Sequence, residues 1–130
     1  METQRRLIWI QRLLAAPFLV LGGWCLIAPH QVEALCFRPE YQHLSVTSAI
    51  MIGCFGAQAM LCGLFISLSR LTRRAFLAYG LSLFLFFAFN YYFVFAEPVF
   101  SKWMALDFIA NVFMLGLCVM GYRLSKNTPA

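Results

Sequence analysis

Four polar side chains set in strongly apolar surroundings, Asn90, Glu97, Asp107 and Asn111, are the residues best able to do chemistry in this chain. A carboxylate flanked by amides can hold a ligand head group or relay a proton, because the carboxylate accepts hydrogen bonds while the amides both donate and accept. Asp107 and Asn111 are four apart and share a face of one helix; Asn90 and Glu97 are seven apart and share a face of the helix before it. A short connection makes the two helices antiparallel neighbours, which gathers all four residues toward one end or the middle of the fold. The same residues also have a structural use: Asp107 pairing with Lys102 or a neighbouring polar group and gaining from the dipole near its helix start, with the asparagines bonding between helices.

Other chemistry is harder to build from this sequence. His30 and His43 bracket a loop that also carries Glu33, Cys36 and Glu40, all metal-ligating types, but their spacing matches no metal-binding signature. The cysteines, at 25, 36, 54, 62 and 118, contain no Cys-x-x-Cys pair and fall mostly within apolar runs, where they serve as small apolar side chains. Cys36 lies in a loop where a disulfide would be permitted, without an evident partner. No nucleophile elbow and no phosphate-cradling loop is present, since Gly22-Gly23 sits inside an apolar run. The sequence therefore nominates no catalytic residue, no metal and no resident cofactor.

The elements that must position these groups are membrane spans. With 62% hydrophobic and only 12% charged residues, the chain departs from a soluble domain toward lipid. Roughly 20 apolar residues cross the hydrocarbon as helix, and four segments qualify: 7–28, 44–68, 75–96 and 101–122. The expected fold is all-α, a four-helix transmembrane bundle forming a single domain over 1–130. Arg12 would snorkel from the first span, Pro17 is tolerated near its start, and the stretch 32–37 can form a short interfacial helix. Arg5, Arg6 and Arg12 before an apolar run resemble a signal peptide, but no Ala-x-Ala site follows, so the first helix is expected to be retained.

The second span has the clearest packing pattern. Ala49, Gly53 and Ala57 recur every four residues, and Gly56 and Gly63 lie seven apart on a neighbouring stripe, so that a partner helix can approach closely. This helix is expected at the centre of the bundle, with Gly53 intolerant of a large side chain. The third span is aromatic all round, so some rings must face lipid. Gln58 is a further amide near the midplane.

Charge placement sets the orientation. Of the ten Lys and Arg residues, eight fall on the side of the termini and the 69–74 turn and two, Arg38 and Lys102, on the other. That asymmetry puts both termini in the cytoplasm. The basic residues come in short clusters and form no continuous face for a phosphate backbone, so nucleic acid is not an expected partner.

A first helix ending Gly22-Gly23-Trp24 to Pro29-His30, followed by an extended loop and a Gly-rich second helix, resembles the DoxX-like group of small bacterial membrane proteins over roughly 7–122. The resemblance implies a four-helix protein of the bacterial inner membrane, in a group of which some members are linked to quinone or thiol redox chemistry. Small multidrug-resistance transporters share the size, but they depend on a glutamate in the first span, and 7–28 has none. The leading expectation is a non-enzymatic scaffold or accessory protein, associating with itself or another membrane protein through the small-residue face. The alternatives are a binder of a lipophilic molecule such as a quinone or lipid at Asn90, Glu97, Asp107 and Asn111, and a membrane oxidoreductase component of DoxX-like type.

Overall fold

The structure, a computed structural model, describes residues 1–127. Five α-helices follow in order: α1 Glu2–Ile27, α2 Pro29–Cys36, α3 Val46–Leu68, α4 Arg73–Tyr91 and α5 Ala105–Leu124. A π-helical turn, Tyr92–Ala96, extends α4, and short 3-10 turns lie at Pro39–Tyr41, Lys102–Met104 and Ser125–Asn127. All except α2 are long and apolar enough to cross a membrane, and no sheet forms among the described residues.

Local chemistry sets the boundaries. Ser45 and Ser48 form a reciprocal capping box at the start of α3, and the Thr72 hydroxyl accepts from the Ala75 amide at the start of α4, so each satisfies amides that have no partner within the helix. Pro29 occupies the first turn of α2, where its missing N–H costs nothing. Pro17 sits inside an unbroken α1. The first span starts at Glu2 rather than at the edge of the apolar run, because its polar opening turn is helical too and carries an Arg6–Glu2 pair one turn apart.

The central helix is α1, not the Gly-rich α3. In its apolar window 39% of α1 is buried, against 17% for α3, and α1 packs on both α3 and α5 while α4 packs on α5. Leu7, Ile10, Leu14 and Ala15 of α1 meet Ile66, Phe76, Leu83, Met114, Leu117 and Cys118 in the main core. Small residues set how closely two backbones approach, which differs from how many neighbours a helix has; α3 uses its glycines for one tight seam on one flank. That seam is made by Gly56 and Gly63. A Cβ on Gly56 would lie 2.5 Å from the Gly22 carbonyl oxygen and 2.7 Å from the Leu26 nitrogen, and one on Gly63 would lie 2.9 Å from Leu19. Gly53 has nothing within 4 Å of its Cβ position and Ala57 is exposed, so the Ala49, Gly53, Ala57 stripe lies beside the seam.

The α4–α5 seam runs antiparallel. Phe76 covers Gly121, Gly80 meets Cys118, and Asn90 meets Asp107 at the other end. Outside these seams large apolar side chains such as Val20, Phe65, Leu85 and Phe95 point outward, the surface that hydrocarbon covers in a membrane.

The two ends are closed differently. At the end of the termini, the buried Gln11 amide of α1 donates to the Ser69 and Ile66 carbonyls at the close of α3. Arg73 donates to the Tyr122 hydroxyl at 2.8 Å and lies 4.2 Å over its ring. At the opposite end the two connecting loops are stitched by an antiparallel bridge, Phe37 to Phe100, with Arg38 N donating to Val99 O at 2.9 Å and Ser101 N to Cys36 O at 2.7 Å.

Candidate functional site

The inward face of α4 repeats at helical spacing through Phe76, Gly80, Leu83 and Asn90, all buried. Its last member is polar, and it emerges opposite the first turn of α5. There Asp107 Oδ2 accepts from Asn90 Nδ2 at 2.7 Å and from Asn111 Nδ2 at 2.9 Å. Asn90 is 3% and Asn111 2% exposed, with Asp107 half-buried. Both asparagine amides thus donate to one oxygen of Asp107, which stands in the first turn of its helix.

One bond is missing. The Asn90 side-chain oxygen is buried and has no hydrogen-bond partner among the described residues, and a buried acceptor without one costs about 1–3 kcal/mol. The cluster therefore presents an unsatisfied acceptor beside a half-exposed carboxylate. A donor O–H or N–H is the group that would complete it.

The structure thus joins Asn90, Asp107 and Asn111 and leaves Glu97 out. Glu97 is exposed, because the π-turn carries five residues over one i to i+5 closure, with the Glu97 amide donating to Tyr92 O at 2.8 Å. A seven-residue spacing holds two side chains on one face only while the helix stays α. Lys102 is exposed and does not pair with Asp107; the salt bridge among the described residues is Arg6–Glu2.

A second buried cluster lies next to this site, and sequence spacing does not reveal it. Cys25 of α1 and Val32 and Cys36 of α2 form a small buried cluster, packed by Trp24, Phe37, Ile52 and Met104. The Cys36 thiol is pushed up to about 11, first by burial and then by the neighbouring Cys25 and Asp107, so it is a poor nucleophile. This small cluster lies beside Asp107.

Glu33 holds α2 in place against the start of α3. Although it falls in a polar loop of the sequence, it is only 3% exposed, and its carboxylate accepts from His43 N at 2.7 Å, Leu44 N at 3.0 Å and Ser48 Oγ at 2.5 Å. Leu44 has φ +43, a left-handed backbone unusual for leucine, and its amide is one of those that Glu33 fixes. Burial raises the Glu33 pKa, but the bonds from Ser48, His43 and Leu44, with His30 nearby, outweigh it and hold the carboxyl below its ordinary value. His30, His43 and Glu40 are exposed, and no three metal-ligating side chains converge among the described residues.

Gln58 falls at the middle of α3, on the face turned away from α1, where it is exposed and no side-chain hydrogen bond joins it to another described residue. Cys54 and Cys62, four residues to either side, are exposed on the same face. Comparison with family models, with curated proteins and with solved structures finds no match to this chain.

Proposed function

We propose that this chain is a non-catalytic scaffold or accessory membrane protein that associates, with a second copy or another membrane protein, through the outward face of α3. The observation that carries the reading is Gln58. An amide at the centre of a span meets hydrocarbon unless another helix supplies a partner, and interhelical hydrogen bonds by such side chains are a recurrent means of association in bilayers. Beside it the stripe of Ala49, Gly53 and Ala57 has no large side chains and is left free by the α1 seam. The basic end faces the cytoplasm in this reading, by the Lys and Arg asymmetry.

The face carries its own reporters. Oxidative cross-linking in native membranes is expected to trap a product through Cys54 or Cys62, of twice the chain mass for self-association or another mass for a different partner. Cys54→Ser with Cys62→Ser should remove that product and Gln58→Leu should weaken it. A chain that stays monomeric in membranes and yields no adduct would refute the proposal.

The partnerless Asn90 oxygen favours a second reading, a binding site for a small lipophilic molecule carrying a hydroxyl or amine donor, such as a quinol. Asn90 and Asp107 would accept from the ligand while Asn111 keeps the carboxylate oriented. Quinone bound in a redox role would bring the protein toward the DoxX-like oxidoreductase type. Lipid extracts of protein purified in mild detergent test this: a stoichiometric quinone or polar lipid lost in Asp107→Asn supports it, and retention in that variant removes Asp107 from the site.

A further inference from the structure

Between the start of α1 and the end of α5 runs an open groove of about 440 Å³, its walls formed by Trp9 and Leu13 on one side and Leu117 and Met120 on the other. Its volume falls in the range of ligand clefts. Arg6 and Arg123 stand on opposite walls at the same end, because the helices are antiparallel and the two arginines lie near the start of α1 and the end of α5. From Arg6 to Leu13 the wall is about 10 Å long at helical rise, apolar behind and cationic at the mouth. We infer that this groove binds one anionic diacyl phospholipid of the leaflet that meets the basic end, with its phosphate between Arg6 and Arg123 and an acyl chain along Leu13, Leu117 and Met120.

Charge selects this occupant over a zwitterionic lipid. Eight of the ten basic side chains gather at this end, while Glu2 is the one acid there among the described residues. Glu2 contacts Arg6 through one guanidinium nitrogen in an exposed pair, which leaves further N–H donors of the fork for a phosphate. Arg123 forms no salt bridge among the described residues. Arg12 lies 5.6 Å over the Trp9 ring and holds the indole at the groove wall. Basic pockets between spans on the cytoplasmic side are a general means of reading anionic head groups.

Trp9 makes the test direct. With Trp24→Phe and Trp103→Phe as background, Trp9 alone fluoresces, and the protein is reconstituted in phosphatidylcholine vesicles doped with brominated-acyl phosphatidylglycerol or, separately, brominated-acyl phosphatidylcholine. At equal mole fraction the phosphatidylglycerol is expected to quench several-fold more strongly. Arg6→Gln with Arg123→Gln should abolish that preference, while Arg70→Gln with Arg74→Gln, the same charge loss away from the groove, should keep it. Equal quenching by the two lipids overturns the inference as an unselective lipid belt, and equal loss in both variant pairs overturns it as diffuse surface charge. Native mass spectrometry of the unmodified protein gives a second measurement that does not depend on the variants folding: one retained phosphatidylglycerol per chain supports the site, and none refutes it.

Discussion

Gly22 of α1 and Gly56 of α3 cross so closely that neither position has room for a methyl group: a Cβ on Gly56 would sit 2.5 Å from the Gly22 carbonyl oxygen, and one on Gly22 would sit 2.8 Å from that of Gly56. The obstructing atoms are backbone, so the helices themselves would have to separate. Gly56→Ala is expected to lower stability in detergent by about 1–3 kcal/mol, the usual cost of overpacking. Gly53→Ala, on the open stripe, should leave fold stability unchanged or raise it by up to about 1 kcal/mol through helix propensity. Thermal unfolding of the two variants side by side checks both, and equal losses would move the seam.

The Asn90, Asp107, Asn111 cluster gives an ordered series. Asp107→Leu removes the acceptor for two buried amides and is expected to cost about 2–6 kcal/mol, each orphaned donor contributing about 1–3 kcal/mol. Asp107→Asn keeps one acceptor oxygen and should cost less. Asn90→Leu deletes a donor and also the partnerless oxygen, so in ligand-free protein it should destabilise less than Asn111→Leu. Equal costs at positions 90 and 111 would mean that the Asn90 oxygen is satisfied.

Glu33 sets an acid limit for the α2 region beside this site. Its carboxyl is held below the ordinary glutamate value in the folded chain. A group shifted in this direction contributes stability that is fully present above the unfolded pKa, about 4.3, and is lost as pH falls through the lower folded value. Stability followed by near-ultraviolet dichroism should therefore show no pH dependence from Glu33 near neutrality and should fall below about pH 4. Glu33→Gln should flatten that acid limb while lowering stability at pH 7. An acid limb unchanged in the variant would assign it to another carboxylate.

The spans and the Asn90, Asp107, Asn111 grouping were legible because both rest on local regularities: apolar runs long enough to cross hydrocarbon, and four-residue spacing on one helix beside its antiparallel neighbour. The regularity failed where the backbone left α geometry, since the π-turn at Tyr92–Ala96 turned Glu97 away from the face that a seven-residue spacing assigns it. The Gly pattern of α3 marked a close approach but could not say which stripe would be used, because that depends on where Gly22 of another helix arrives. Glu33 was illegible for a similar reason. Its partners His43, Leu44 and Ser48 lie 10 to 15 residues away across an irregular loop, and no period connects them.

Gln11 is a case in which a polar residue inside a span serves the neighbouring helix. Its Nε2 donates at 2.6 Å to Ser69 O and at 3.3 Å to Ile66 O, carbonyls at the end of α3 that α3 itself cannot satisfy. The side chain is 4% exposed, so water has little access to substitute for it. Gln11→Leu fills similar space but donates nothing, and is expected to cost about 1–3 kcal/mol and to loosen the α3–α4 turn ahead of the rest of the bundle. Hydrogen exchange at the amides from Ser69 to Arg74 should rise in this variant while exchange in the middle of α1 and α5 stays slow. Gln11→Met keeps the length and shape of the side chain but likewise donates nothing, and should cost about as much as Gln11→Leu. Either variant as stable as wild type would show that the bonds to Ser69 and Ile66 contribute nothing.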